Sequence, residues 1–285
     1  MPLGAYRRLL EAFKRTLEGK GMRHVFKSYF EFLDAAKAKA SEYQNKNGSR
    51  HWAAGEYHDG WAGNDAPTMS QAVKFAEEGW AKGRADVMAV VDKLNVAGKV
   101  HRTEIRFDVT GDVCDIGRLL EGDPECMMYR ENIEEQSESG NIIKIIVNTT
   151  FSGGIDESII RRRGAAILSL IEGLEASGKR VELDMLFAES DKHGEYVRVT
   201  VKTTDQPISE DLVAYAVAHP SFSRRFCHLI TGRGIMPGNP AGIESECDIY
   251  VPMAMLGAKE WESEHACLAW AVKYLAQYGV KIDAN

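Results

Sequence analysis

The sequence predicts an α/β protein: a mainly helical N-terminal region over residues 1–100, then a mixed or parallel sheet layered with helices over residues 101–285. Three observations predict it. Apolar residues recur at helical spacing through the first 100 positions. Beyond position 140, apolar strand runs alternate with capped helical segments. The 285 residues, 44% hydrophobic and 27% charged, are globular in composition and long enough to bury a sizeable core.

In chain order, Leu9, Leu10, Phe13 and Leu17 mark a first helix, and Phe26, Tyr29, Phe30 and Leu33 a second, with Gly19 and Gly21 between them. Residues 47–67 read as a polar, Gly-rich loop that is unusually aromatic. Thr68 with Gln71 forms a capping box for a helix over 69–80, and a further helix spans 84–97 after Gly83. Thr103–Val109 alternates as a half-buried strand, and residues 112–120 supply a helical turn or two. An insert over 121–139 follows, punctuated by Gly122, Pro124 and Gly140, and reads as a domain boundary or exposed flap. Ile142–Val147 has the apolar continuity of a buried strand. Asp156 caps a helix over about 157–177, with Gly178 at its end. Val181–Phe187 and Tyr196–Val201 are strands. Ser209 caps a helix through Ala218, Pro220 opens another, Asp248–Val251 is a short strand, and Ser263 starts a last helix that ends at Gly279.

The net charge of −7 is unevenly placed. Residues 121–139 carry seven acids and one base, which leaves −1 for the remaining 266 residues. Residues 7–27 carry seven bases and two acids, and the stretches around 161–163 and 224–233 each hold three arginines and no acid. An acidic total therefore does not exclude a polyanionic partner, and the insert is placed to compete with one. The plainer reading is a set of solvated faces. No run of about 18 apolar residues predicts a membrane span. The N-terminus lacks the apolar core of a secretory leader, and five widely spaced cysteines suit a reduced, cytosolic chain.

The loop Asn148-Thr-Thr-Phe-Ser152-Gly-Gly follows a buried strand and precedes a long helix, where open α/β sheets place ligands. Its spacing Asn148, Thr150, Ser152 resembles the Asp-x-Ser-x-Ser metal site of von Willebrand A domains, and implies a Rossmann-like or degenerate von Willebrand A-like second half. The resemblance departs at its first position, where Asn148 stands in place of the carboxylate. A metal-free relative, with no cofactor, is what this implies. The alternative is that Asn, Ser and Gly are turn residues only.

Arg161, Arg162 and Arg163 fall in the first turns of one helix, and Arg224 and Arg225 in another, with Arg233 beyond. Cations there oppose the helix dipole unless an anion is bound. Phe151, Phe222 and Trp61 lie near them in sequence or in the aromatic loop. Arginine forks with stacking rings are the chemistry of single-stranded nucleic-acid binding. The competing reading makes Phe222 and Phe226, at i and i+4, core residues. No P-loop and no G-x-S-x-G occurs. His51 and His58, and the pairs Cys227-His228, Cys247-Asp248 and His265-x-Cys267, lack the spacing of a zinc site. No catalytic residue or metal site is assigned.

Three segments, Gly122-Asp-Pro-Glu-Cys-Met, Ile142 through Arg161-Arg-Arg-Gly-Ala-Ala, and His219-Pro-Ser-Phe-Ser-Arg-Arg, resemble an uncharacterised family of tailed-phage accessory proteins. The narrower resemblance, to single-stranded-DNA-binding cofactors of phage RNA polymerase, rests on the Arg and aromatic clusters. Together they imply a non-enzymatic protein of the host cytoplasm acting in phage transcription or replication, binding single-stranded nucleic acid and possible as a homo-oligomer. The alternative is an interaction adaptor for an ATPase or virion component that binds no nucleic acid.

Overall fold

The computed structural model describes residues 23–45, 52–55, 60–66, 68–81, 83–85, 103–111, 113–132, 142–188, 195–204, 209–232, 238–240, 242–255 and 258–280. The elements that position the candidate site are β1 (Arg23–Phe26), α1 (Tyr29–Asn45), α2 (Met69–Glu78), β2 (Thr103–Asp108), β3 (Val113–Cys114), α3 (Ile116–Leu120), β4 (Met127–Asn132), β5 (Ile142–Asn148), α4 (Glu157–Ala176), β6 (Arg180–Ala188), β7 (Tyr196–Lys202), α5 (Glu210–Ala218), a π-helical turn (Phe222–Cys227), α6 (His228–Thr231), β8 (Ile249–Val251) and α7 (Glu264–Gln277).

The capping residues read from sequence start the helices. Thr68 and Gln71 exchange side-chain and backbone bonds in a full capping box, and Asp156, Ser209 and Ser263 each accept from a first-turn amide. Gly178, at φ 83°, turns the chain out of α4.

The main sheet has five strands in the order β1-β7-β6-β5-β8. β5 is parallel to β6 and β8, β7 is antiparallel to β6, and β1 is parallel to β7. Strand alternation divides its faces. Ile143, Ile145 and Val147, with Val181, Leu183, Met185 and Phe187 and with Val197, Val199 and Val201, join one core with residues of α1, α2, α4, α5, the π turn, α6 and α7. The other face carries a small cluster of Ile146, Leu186, Ala188 and Ile243. Beside it, Arg198 bridges Asp184 at 2.7 Å and Glu246 at 2.5 Å.

The described helices before residue 100 share the core of the sheet, and two expectations change here. Phe32 and Leu33 of α1 and Ala72 and Ala76 of α2 are buried in the same cluster as the sheet, and Tyr29 Oη donates to Ala76 O at 2.9 Å. β1 adds a strand to that sheet, where the sequence reads a helix through Phe26. Four residues with alternating exposure carry too little pattern to stand apart from the helical run beside them. Secondly, the acidic insert is only partly a flap. Its Met127–Asn132 is the central strand of a second, antiparallel sheet, β2-β4-β3, and residues 133–139 lie outside the described residues. The helices expected over 1–18 and most of 84–97 also lie outside them.

α4 packs closely on α5 at Gly164. A Cβ there would stand 2.3 Å from Ala218 Cβ, so only glycine permits this approach. Among the described residues, no helix is long and apolar enough to cross a membrane.

Candidate functional site

Counted from β5, the order β7-β6-β5-β8 is 3-2-1-4 in chain order, with the third strand reversed and the helices gathered on one face of this open sheet. The chain leaves β5 for β6 on one side and returns to β8 on the other. In such sheets the ligand crevice opens at the carboxyl ends of these two diverging neighbours. In this protein the residues at that place are Asn148, Phe151, Arg163 and Tyr250.

The crevice is filled by the protein itself. A parallel bridge between Phe151 and Ala254 continues the β5–β8 pairing past the strand ends. Asn148 is fully buried; its Nδ2 donates to Gly238 O at 2.8 Å, Asn239 Oδ1 at 3.0 Å and Tyr250 Oη at 3.2 Å, while its Oδ1 accepts from the Thr150 amide. Thr150 Oγ1 donates to Ala188 O and accepts from its amide. Ser152 Oγ is buried with no hydrogen-bond partner among the described residues. The side chains of Asn148, Thr150 and Ser152 thus turn inward, and Asn148 acts chiefly as a donor, a role that aspartate lacks. Among the described residues, no cluster of His, Cys, Asp and Glu is arranged to hold a metal ion.

Arg163 lies beneath this loop, wholly buried. Its Nη2 donates to Asn148 O and Pro252 O at 2.9 Å and to Val251 O at 3.5 Å, and its guanidinium carbon is 5.6 Å from the ring centres of both Phe151 and Trp261. Burial pushes its pKa down to about 10, which still leaves a cation at neutral pH. That cation is held by carbonyl dipoles and aromatic faces.

Arg224 and Arg225 follow the same rule. Arg224 is 3% exposed and donates to Trp61 O at 2.7 Å and Ile155 O at 2.6 Å, with its guanidinium 4.7 Å over the Trp61 ring. Arg225 is 0% exposed and donates to Ala53 O and Gly55 O at 3.1 Å. The structure therefore brings Asn148, Ser152, Trp61, Arg163 and Arg224 together at one end of the sheet, and turns Arg163, Arg224 and Arg225 inward. Their expected phosphate contacts do not fit this burial. Phe222, at 1% exposure, packs on Tyr29 and Phe32, and Phe151 is 7% exposed, so neither offers a free face to a base. The helical-core reading of Phe222 and Phe226 holds.

Closer to the surface are Arg161, Arg162 and Trp61. Arg161 pairs with Glu157 and Asp65 and lies over Trp80 at 4.8 Å. Arg162 Nε donates to Trp261 O at 3.4 Å. Trp61 is half-buried and donates from Nε1 to Gly153 O at 3.2 Å. Arg233, His51, Tyr57 and His58 lie outside the described residues.

Sequence reasoning missed a second polar network nearby. His219 Nε2 lies 3.0 Å from Asp65 Oδ1, and its Nδ1 lies 2.8 Å from Ser221 Oγ and accepts the Ser221 amide at 3.1 Å. That amide bond fixes the ring proton on Nε2. Tyr215 Oη is 2.6 Å from Ser221 Oγ and donates to Ala72 O, while Trp80 Nε1 donates to Asp65 Oδ2. The set has the composition of a serine triad, with the two ring nitrogens exchanged relative to that template. Ser221 is 0% exposed, and the imidazole is flanked by Trp80, Phe75 and Tyr215. Desolvation lowers the His219 pKa despite the Asp65 carboxylate. Burial opposes ionisation of Asp65, yet His219, Arg161 and Trp80 hold its carboxyl below the usual range. With His219 neutral, its Nε2–H still donates to the carboxylate, and the Arg161 charge and the Trp80 bond add to that effect. The arrangement joins α2, α4 and α5, with both His219 and Ser221 buried within it. Asp65 and His219 stand 154 positions apart, so no local pattern announces them.

A contrasting surface lies on the small sheet. Val109, Val113, Ile116, Leu119 and Leu120 are 61%, 58%, 68%, 53% and 81% exposed. Ile116, Leu119 and Leu120 are on α3, which Asp115 caps through bonds from the Gly117 and Arg118 amides, and Val109 and Val113 precede it in the chain. Arg118 lies 3.9 Å over Phe107 and pairs with Asp123 at 3.4 Å.

The chain belongs to a family described as a domain of unknown function (DUF7192), whose model matches residues 12–281. No curated protein and no solved structure matches it.

Proposed function

We propose that this protein is a non-enzymatic interaction adaptor that contacts a partner protein through the small antiparallel sheet and α3. The carrying observation is the group of five exposed aliphatic side chains between Val109 and Leu120. Several large apolar side chains left exposed within one short stretch mark a candidate contact site. The filled switch point supports the same reading, since the fold's usual ligand crevice is occupied by Arg163 and the Asn148 network. Acids at Glu121, Asp123 and Glu125 border the patch and favour a partner that rims its apolar contact with bases. The resemblance of three segments to tailed-phage accessory proteins makes a phage or host protein, such as an ATPase or virion component, the partner class to test.

Affinity capture from the natural host with wild type and with Ile116→Glu/Leu120→Glu tests it. A protein retained by the wild type and lost by the variant, at unchanged circular dichroism, is the expected result. Equal capture by both overturns the reading.

Single-stranded nucleic-acid binding is the second reading. Trp61, bonded to exposed Gly153, and half-buried Arg162 favour it. Anisotropy titration with short DNA at low salt, comparing wild type with Trp61→Ala/Arg162→Ala, decides it. Binding that weakens steeply with salt and is lost in the variant supports it; no binding at low salt removes it.

A further inference from the structure

We infer that Cys114 and Cys126 form an oxidisable dithiol, a covalent modification site that closes a ring around α3. The two sulfurs stand 3.7 Å apart, and both cysteines are free thiols. Cys114 is the last residue of β3, opposite Met127 of β4. Cys126 lies one position beyond the end of that ladder, where Asp115 N donates to Cys126 O at 2.7 Å. Inside a regular ladder the two side chains would point to opposite faces. At its end Cys126 is released from that alternation, and the sulfurs meet. A disulfide requires roughly 2.05 Å between sulfurs, so the two side chains must turn toward each other to close it.

The two positions differ in access. Cys114 is half-exposed, whereas Cys126 is 8% exposed. Cys114 is therefore the entry nucleophile and Cys126 the resolving thiol. With a small-molecule disulfide as oxidant, the Cys114 thiolate attacks one of its sulfurs and releases one thiolate. The Cys126 thiolate then attacks Cys114 Sγ and releases the second. Two protein thiols are oxidised to one disulfide, and the oxidant is reduced to two thiols, whose protons come from the cysteines. Partial burial, the Cys126 thiol and the Asp115 carboxylate all raise the Cys114 thiol, so this sulfur rests protonated and the exchange is slow until oxidant accumulates.

The ring encloses residues 115–125, which include α3 with exposed Ile116, Leu119 and Leu120. Oxidation joins the two ends of the loop that carries that helix. The covalent chemistry stands whether or not this surface binds a partner.

The other cysteines provide the control. Cys227 and Cys267 are buried, and burial raises both thiols. Cys247 is half-buried at the opposite sheet, with its thiol against Ile243 O and Glu244 O.

The test uses the full chain, native, incubated with oxidised glutathione and alkylated after denaturation. Free thiols fall from five to three. Trypsin cuts after Arg106, Arg118 and Arg130, so the peptides Phe107–Arg118 and Leu119–Arg130 travel as one species in a non-reducing digest and separate on reduction. Cys114→Ser keeps its four remaining thiols, and Cys126→Ser accumulates one glutathione on Cys114. The wild-type linkage alone decides the matter if a variant fails to fold. Retention of five thiols, or a loss that joins any other pair, overturns the proposal.

Discussion

The end of the main sheet and the small antiparallel sheet invert each other's use of residue types. At the first, three arginines are almost wholly buried; at the second, five aliphatic residues face water. Residue type alone predicts the opposite in both places. Position on the periodic pattern resolves the first. Arg163 falls on the buried stripe of α4 with Ile160, Ile167, Leu170 and Leu174, and loop carbonyls meet its guanidinium there. The second has no such remedy among the described residues, since α3 buries none of its own. A charge drawn inside is fixed by structure, while apolar groups left outside point to an external contact.

The largest test of the contrast is Arg163→Ala. It opens a cavity and strands the carbonyls of Asn148 and Pro252, and should cost about 3 kcal/mol or more by urea denaturation. Arg163→Met fills most of the space without a buried charge and should recover about half of that loss. Unchanged stability in Arg163→Ala would make Arg163 a reserve for a ligand and undo the comparison.

Asn148→Asp comes next. The carboxylate turns an oxygen toward Gly238 O, where Nδ2 now donates, and should cost about 2 kcal/mol. It should gain no stabilisation from magnesium or manganese, read as an unchanged Tm with either ion. A rise in Tm with either would show a metal site one substitution away.

How much of this was legible depended on range. Local chemistry was readable: the caps at Thr68, Asp156, Ser209 and Ser263 and the strands around Ile145, Leu183 and Val199 stand where their patterns place them. The cluster of candidates at the sheet end was readable too, because loops after parallel strands converge there. The direction of the arginines was not read, although the spacing of Arg163 with Ile160 and Ile167 carried the signal. Partners such as Asp65 with His219, or β1 with β7, depend on contacts distant in sequence and leave no mark in a short window.

A smaller effect follows from His219. Its folded-state pKa is lowered from the ordinary 6.5, so the unfolded chain takes up the proton more readily. Its contribution to stability is present above about pH 6.5 and is lost as the pH falls below that value. Asp65, also lowered, contributes above its ordinary 3.8 and loses that contribution only at more acidic pH. Between pH 7 and pH 5 the slope therefore belongs to His219 within this pair. His219→Gln, which keeps a donor for Asp65 and an acceptor for Ser221, should flatten denaturation midpoints across that window. An equally steep slope in the variant would place the titration elsewhere.

The smallest expected effect is the sharpest test of the other region. Leu120 is 81% exposed at the end of α3, and Glu121 behind it already points a carboxylate to solvent. Leu120→Glu removes no buried area, and the caps from Asp115 stay intact. Stability should therefore change by less than about 0.5 kcal/mol. The same substitution at a core leucine such as Leu170, 0% exposed, would bury an unpaired charge and unfold the chain. A loss above about 1 kcal/mol at Leu120 would mean that another part of the protein covers it, and the patch would then be core. Unchanged stability with lost partner capture leaves an external contact as the reason for its exposure.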